Sequence, residues 1–163
     1  MIDAVVFDLD GTLVNLPINW ENLFEEIKVI TGKQKVRPLT EVVSALDEET
    51  RKKALEAWDR FELACCPNVT LHEEGMNEYR KYAEKRKGLV TLQGKKIVNF
   101  ILERFNLDFE VILTREDSLF RNEQLKLIIK KLNVSPKNLL FLGNAKTDAL
   151  AAKEIGCKFK QIK

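Results

Sequence analysis

Two acidic residues stand one position apart near the start of the chain. Asp8 and Asp10 follow the apolar run Ala4–Phe7 and are followed at once by Gly11 and Thr12. Alternate side chains of an extended chain lie on the same face, so both carboxylates project into one space. Two like charges this close repel each other unless a cation lies between them, and hard divalent cations prefer carboxylate and carbonyl oxygens. The segment therefore predicts a site for a cation such as Mg²⁺.

The same acidic pair predicts a nucleophile. A carboxylate beside a bound cation can attack phosphorus and carry the phosphoryl group as an aspartyl-phosphate. The alternative is that Asp8, Asp10 and Gly11 only form the turn that ends a strand, since these residue types are common in turns.

Hydrophobic patterns predict the elements that position these residues. Short apolar runs predict strands at 4–7, 88–92, 110–113, 139–142 and 158–162, and three- and four-residue spacings predict helices at 95–105, 124–132 and 147–155. Strands that alternate with helices of this length pair in parallel through right-handed crossovers. We therefore predict an α/β fold, a three-layer Rossmann-like parallel sheet with helices on both faces.

A run of helices between the first and second predicted strands interrupts this alternation. Apolar spacings predict helices at 20–30, 39–46, 48–66 and 76–83. We interpret residues 16–87 as an all-helical insert, and residues 1–15 together with 88–163 as the core domain. The alternative is that these helices only cover the core, because packing between helices gives the same spacings.

Composition narrows the class of protein. The 163 residues suit one domain with an insert, and a 45% hydrophobic content is ordinary for a chain that buries a core. A net charge of +2 gives no indication of nucleic acid or of an anionic membrane surface. No apolar stretch approaches the length of a membrane span, and the three cysteines are expected to be reduced thiols. A cytoplasmic location is the expectation.

The segment Val5–Val14 resembles the first signature of the haloacid dehalogenase-like (HAD) superfamily of phosphohydrolases. In that signature, hydrophobic residues precede Asp-x-Asp-Gly-Thr, and the match is complete. The resemblance implies that Asp8 attacks the substrate phosphorus, while Asp10 protonates the leaving oxygen and later activates water. It also implies that Thr12 orients the pair and that the helical insert is a cap that closes over the site.

The second and third HAD signatures are matched less closely. Leu89–Thr91 resembles the strand that ends in a hydroxyl for the transferring phosphoryl group, and the backbone N–H groups of Leu92 and Gln93 offer further donors. The third signature supplies a lysine, but residues 114–123 contain none. Arg121 is the nearest cation in place, and Lys126 and Arg115 are the next alternatives for the same role.

The fourth signature contains a substitution. Gly143–Asp148 resembles Gly-Asp-x-x-x-Asp, but Asn144 occupies the position of the first acid, which binds magnesium in the family. An amide oxygen still ligates a hard cation, yet it removes one negative charge. The resemblance implies a metal site of Asp8, Asp10, Asn144 and Asp148, with Asp148 partly compensating for the lost charge.

The resemblance implies a magnesium-dependent phosphohydrolase that cleaves a small phosphorylated metabolite through an aspartyl-phosphate, acting as a monomer or a homodimer. Two alternatives stay open. One is a related enzyme on the same scaffold, such as a phosphomutase; a halide-releasing hydrolase is disfavoured because it needs no acid at Asp10. The other is a degenerate, non-catalytic module that binds a phosphorylated ligand or a protein partner, because the third and fourth signatures are altered.

Overall fold

Five parallel strands form the central sheet of the computed structural model, which describes all residues from 1 to 163. In chain order the strands are β1 (Ala4–Phe7), β2 (Val14–Asn15), β3 (Thr70–Leu71), β4 (Arg86–Val90), β5 (Val111–Leu113), β6 (Leu139–Gly143) and β7 (Lys158–Gln161). The helices are α1 (Trp20–Thr31), α2 (Leu39–Ser44), α3 (Glu48–Ala64), α4 (Glu73–Lys81), α5 (Lys95–Phe105), α6 (Arg121–Leu132) and α7 (Lys146–Ile155). Two 3₁₀ turns lie at Cys66–Asn68 and Pro136–Asn138.

The order of strands in the sheet is β5-β4-β1-β6-β7, which confirms the predicted parallel α/β fold. Phe7 at the end of β1 pairs with Leu89 of β4 on one side and with Leu142 of β6 on the other. The chain adds strands to one side of β1 and then crosses to its other side. In open parallel sheets, ligands bind at this reversal, outside the carboxyl ends of the strands.

The two faces of β1 are buried under different helices, as the period of two in a strand requires. Val5 and Phe7 pack with residues of α4 and α5, whereas Ala4 and Val6 pack with residues of α6 and α7. All four side chains are fully buried. The sheet is therefore the middle of three layers, and the residues that follow β1 are held by a strand that is covered on both faces.

The helices α1, α2 and α3 form a separate apolar cluster. Leu23 and Ile27 of α1, Val43 of α2, and Ala57 and Trp58 of α3 pack together away from the sheet. None of the chain's helices has the length and the apolar content required to cross a membrane.

The fourth helix of the predicted insert packs against the sheet layer. Met76 and Tyr79 of α4 contact the cluster that contains β1, and the Tyr79 ring lies 5.9 Å from the Phe7 ring and 5.7 Å from the Phe109 ring. We therefore propose that the cap consists of α1–α3 and that α4 belongs to the core, which is a shorter cap than the predicted insert of residues 16–87.

A short antiparallel pair, β2 with β3, joins the chain segments on either side of helices α1–α3, and the sequence pattern did not predict it. Val14 of β2 pairs with Leu71 of β3, and the N–H of His72 donates to the carbonyl oxygen of Leu13 at 2.8 Å. Two-residue strands are too short to show an alternating pattern. Gly75 completes the junction, because a Cβ at this position would overlap the carbonyl oxygen of Thr12.

Candidate active site

Asp8 lies at the centre of the carboxyl edge of the sheet. Its backbone N–H continues the pairing of β1 with β6 by donating to the Leu142 carbonyl oxygen at 2.9 Å. The residue is 5% exposed. The Thr12 hydroxyl donates to Asp8 Oδ2 at 3.4 Å, so the predicted orienting residue does contact the predicted nucleophile.

Asp10 lies in the turn that follows. The N–H of Leu16 donates to Asp10 Oδ1 at 3.0 Å, and the N–H of Gly11 donates to the Val14 carbonyl oxygen at 2.8 Å. Gly11 has φ +78°, and a Cβ there would overlap the Asn144 side chain. A glycine is therefore required at position 11 for two reasons: the positive φ of the backbone and the close approach of the Asn144 side chain.

Arg121 is the cation that reaches Asp8. At the start of α6, its Nη2 donates to Asp8 Oδ1 at 2.9 Å and its Nε donates to Asp148 Oδ1 at 2.9 Å. The other two alternatives do not occupy this position: Lys126 is exposed on α6, and Arg115 is paired with carboxylates of the cap. A planar guanidinium can contact two carboxylates with two different nitrogen atoms, whereas a lysine ammonium has only one nitrogen.

Gln124 holds Arg121 in place, and sequence reasoning missed it. Its Oε1 accepts from Arg121 Nη1 at 2.8 Å, and its Nε2 donates to the carbonyl oxygens of Thr91 and Thr114 at 2.8 and 3.2 Å. Gln124 is fully buried. A glutamine on the apolar stripe of a helix was the available signal, because a buried amide requires partners.

Thr91 directly follows β4, the strand that pairs with β1 before Asp8, but its hydroxyl is used within its own loop. It donates to Gln93 Oε1 and accepts from the Gln93 N–H at 3.1 Å. Thr91 and Gln93 are buried, whereas Leu92 is half-buried. A phosphoryl oxygen that binds Thr91 must therefore replace the Gln93 side chain as the acceptor of the hydroxyl hydrogen bond.

Asn144 and Asp148 have different surroundings. Asn144 follows β6, is exposed, and has its amide against Gly11. Asp148 is buried, and its oxygens accept from Arg121 Nε and from the Ala145 N–H at 3.2 Å. Asp148 therefore positions Arg121 and the start of α7, and this geometry does not support its predicted role as a metal ligand.

The side chains at this edge carry oxygen atoms of the kind that Mg²⁺ prefers, with one negative charge fewer than three carboxylates would carry. The acidic, histidine and cysteine side chains form no cluster of three that is suited to a metal ion. Asp8, Asp10 and the Asn144 amide supply oxygens, and the space that the Asn144 amide occupies is the one that a side chain at Gly11 would fill. Mg²⁺ keeps several waters and needs only one or two protein carboxylates.

Burial dominates the electrostatics of the two acids. It raises the pKa of Asp8 to about 7, against the opposing charge of Arg121, and it raises the pKa of Asp10 to about 6, against the Leu16 and Gly11 hydrogen bonds. A carboxyl group whose pKa lies near neutrality can both donate and accept a proton during a reaction. Asp10 is therefore suited to general acid and base chemistry.

A buried ionic cluster connects the cap to the core, and no spacing in the sequence predicted it. Arg115 Nη1 donates to Glu62 Oε2 at 2.7 Å, and Arg115 Nη2 is paired with Asp59. The Glu62 Oε1 atom accepts from the Gly94 N–H at 3.0 Å, and Arg115 lies 4.3 Å over the Trp58 ring. The cluster therefore fixes α3 beside the loop that follows β4.

A cavity of about 400 Å³ opens beside Asp8. The cap contributes to its wall through α2, so the space lies between the core and the cap. Its lining includes Asp8, Thr40, Glu41, Leu92, Phe120, Arg121, Asn144 and Asp148.

Comparisons with known proteins agree with this architecture. The chain is 26% identical over 184 residues to the pyrophosphatase PpaX of Anoxybacillus flavithermus, covering 96% of this chain and 81% of that protein. It is 30% identical over 168 residues to the hydrolase YOR131C of Saccharomyces cerevisiae, covering 96% and 75%. The structure of SP0104 from Streptococcus pneumoniae, a haloacid dehalogenase-like family protein, has a TM-score of 0.73 at 18% identity, covering 99% and 85%.

The family assignment follows from the extent of the match. The family model described as "Haloacid dehalogenase-like hydrolase" matches residues 5–162, from β1 to the end of the last strand. The matched range includes the acidic pair after β1 and the altered motif after β6. The chain therefore belongs to the haloacid dehalogenase-like hydrolases.

Proposed function

We propose that this protein hydrolyses a phosphate monoester and that Asp8 is its nucleophile. In the first step, an Asp8 carboxylate oxygen attacks phosphorus in line, the bond from phosphorus to the leaving oxygen breaks, and Asp10 gives its proton to that oxygen. An aspartyl-phosphate on Asp8 and a free alcohol result. The observation that carries this proposal is the buried Asp8 carboxylate, held by Thr12 and Arg121 at the cavity between core and cap.

The second step regenerates the enzyme. Asp10, now a carboxylate, takes a proton from water as the water oxygen attacks phosphorus, and the bond between phosphorus and the Asp8 oxygen breaks. Inorganic phosphate leaves, and both acids return to their initial states. Arg121 Nη2 lies 2.9 Å from Asp8 Oδ1, so its charge is placed to stabilise the negative charge that develops on the phosphoryl oxygens.

Asp8, Asp10 and Asn144 would hold Mg²⁺. When bound, the ion supplies positive charge that neutralises the phosphoryl oxygens and keeps Asp8 ionised despite its burial. The pyrophosphatase named among the relatives also acts on a phosphoryl group, which supports phosphoryl transfer as the reaction. We extend the proposal to a small phosphorylated metabolite as the substrate, because the cavity of about 400 Å³ suits a small molecule.

Turnover of 4-nitrophenyl phosphate in the presence of Mg²⁺ tests the proposal. Wild-type protein should release phosphate, and Asp8→Asn should lower kcat at least about 10³-fold, because an amide is no nucleophile. Asp108→Asn is the matched control, since Asp108 is exposed and its carboxylate contacts no side chain. The control should keep wild-type turnover.

A different result would favour the non-catalytic module. Folded wild-type protein that releases no phosphate from a panel of monoesters, yet binds inorganic phosphate, would contradict the hydrolase and support a phosphate-binding role. The specific observations behind that second candidate are Asn144 in place of an acid and the ion pair that already occupies Asp8.

A further inference from the structure

A second cavity, of about 410 Å³, adjoins the one beside Asp8. The two cavities share Thr40 and Leu92 in their walls, and the second also contacts Gln93. Because Leu92 and Gln93 directly follow Thr91, this cavity begins at the loop proposed to bind the phosphoryl group. A group attached to that phosphoryl group therefore has space beside it, between core and cap.

Three aromatic side chains, those of Trp20, Phe24 and Trp58, line this second cavity. Trp20 stacks on Phe24 with ring centroids 5.8 Å apart, and Trp58 meets Trp20 edge to face at 6.4 Å. Trp20 and Phe24 are half-buried, so part of each ring remains accessible. We call Trp20, Phe24, Arg37 and Trp58 the aromatic cleft. Rings of this kind favour a planar aromatic ligand over an aliphatic one.

Arg37 adds an unpaired positive charge to the aromatic cleft. Its guanidinium lies 4.8 Å from the centroid of the Phe24 ring and forms no ion pair with any carboxylate. A third cavity, of about 550 Å³, shares Trp20, Phe24 and Arg37 with the second one, and its wall also contains Glu21, Glu25, Lys28 and Lys35. In the second cavity, Arg37 is the only charged residue of the wall, so an anionic substituent of a ligand would find a partner there.

Trp58 contributes an unused hydrogen-bond donor. Its Nε1 atom is buried and has no partner, although Trp58 lines the second cavity and is only 2% exposed. A buried donor without an acceptor is costly, and such groups are rare in folded proteins.

We propose that the aromatic cleft binds the leaving group of the substrate, and that this group is a planar aromatic ring carrying a negative charge. The inference rests on the proposed hydrolysis of a phosphate monoester and names the class of its alcohol product. Stacking on Trp20 and Phe24 selects the ring, and Arg37 selects the anionic substituent.

Matched substrates test the charge requirement. We compare kcat/KM for 4-carboxyphenyl phosphate with that for 4-nitrophenyl phosphate, which has a substituent of similar shape without a full charge. Arg37→Leu should lower the ratio of the first to the second about tenfold, because one charge-assisted contact is lost. Lys33→Leu removes an exposed charge of the same segment outside the cleft and should leave the ratio unchanged. An Arg37→Leu ratio equal to that of wild type would overturn the proposal.

The ring requirement has its own variants. Trp20→Ala should lower kcat/KM for both aryl phosphates about fivefold relative to glycerol phosphate, since a stacking surface is removed. Trp20→Leu keeps an apolar side chain in α1 and should show the same relative loss. A loss in this variant is then due to the missing ring and not to unfolding of the helices. Equal losses on aryl and glycerol phosphates in the Leu variant would overturn the proposal.

Binding can be followed without turnover, because both tryptophans of the chain line the cleft. The free leaving group 4-hydroxybenzoate should change the intrinsic fluorescence of wild type saturably, and Arg37→Leu should weaken this binding about tenfold. A protein that releases no phosphate but shows this change would refute the hydrolase and retain the anionic-ring site. Phosphate release without any fluorescence change would retain the hydrolase and refute the site.

Discussion

Asn144 removes one negative charge from the edge where Asp8 and Asp10 lie, while leaving an oxygen donor. Asn144→Asp should restore that charge and tighten the binding of Mg²⁺ about tenfold, with a rise in turnover of 4-nitrophenyl phosphate. Isothermal titration calorimetry with Mg²⁺ measures the affinity directly. If the variant binds the ion no better than wild type, Asn144 is not a ligand.

Arg121 contacts Asp8, Asp148 and Gln124 with three different nitrogen atoms. Arg121→Met should lower kcat about 10²-fold or more, because it removes the charge nearest to the developing negative charge. Arg121→Lys should recover part of the loss, since a single ammonium cannot reach all three partners. Steady-state kinetics check both variants.

The control for this comparison is Arg80→Met. Arg80 is an exposed arginine of α4 that contacts only Asn77. Equal kcat values for Arg121→Met and Arg80→Met would show that Arg121 plays no part in the reaction.

These residue contacts show what the chain's own pattern can and cannot reveal. Asp8, Asp10 and Thr12 were found because they lie within five positions of one another and follow an apolar strand. The ion pair of Arg115 with Glu62 was not found, because 53 positions separate the two charged partners along the chain. The contacts of Gln124 with the carbonyl oxygens of Thr91 and Thr114 were not found for the same kind of reason, since these residues belong to other elements. Only folding brings such partners together.

At the scale of elements, α3 is held to the core through Glu62. Burial raises the pKa of Glu62 to about 7, from a usual value of 4.5, although Arg115 opposes this. Between about pH 4.5 and pH 7, the folded protein therefore binds a proton at Glu62 that the unfolded chain has already released. The stability from this proton is fully present below about pH 4.5 and is lost as the pH rises through about 7.

Glu62→Gln removes this titration while keeping an acceptor for Gly94. Between about pH 5 and pH 8, the wild type should lose on the order of 2 kcal/mol of unfolding free energy relative to the variant. Urea unfolding at several pH values measures the difference. Glu56→Gln changes an exposed position of the same helix, and its unfolding free energy should vary with pH as that of the wild type does. If the unfolding free energy of Glu62→Gln varies with pH as that of the wild type does, Glu62 does not bind the proton.

The junction between α4 and the turn after β1 has no room for a side chain at Gly75. Gly75→Ala should therefore lower the unfolding free energy by about 2–4 kcal/mol, because the overlapping atom belongs to the Thr12 backbone. Gly32→Ala is the comparison: Gly32 has φ +71° but open space around it, so its cost should stay near 1 kcal/mol. Chemical denaturation ranks the two, and equal costs would contradict the packing argument.

Elements with a strong period were predicted closely. The apolar spacing predicted α5 at residues 95–105, where the structure has it, and Gly32 in a left-handed conformation ends α1. The start of α4 was predicted three residues late, because His72 caps the helix with its ring nitrogen, which accepts from the Gly75 N–H at 3.4 Å. The pair β2–β3 was missed, since two residues show no period.

At the scale of the whole molecule, the alternation of strands and helices predicted the parallel sheet and its three layers. The assignment of α4 to one layer depended on contacts of Tyr79 with Phe7 and Phe109, which no local pattern encodes. The position of α3 relative to the sheet likewise depends on the pairing of Arg115 with Glu62 and Asp59. The fold was therefore more predictable than the arrangement that places the cavities between core and cap.

In the proposed reaction, Asp8 carries the phosphoryl group between the two steps. The most direct measurement is reduction of the enzyme with borohydride during turnover, followed by mass spectrometry of its peptides, since borohydride converts an aspartyl-phosphate to a stable alcohol. Reduction is expected at Asp8 in the wild type and at no residue in Asp8→Asn. Rapid phosphate release with no reduced residue at position 8, or with reduction at Asp10 instead, would contradict this role of Asp8.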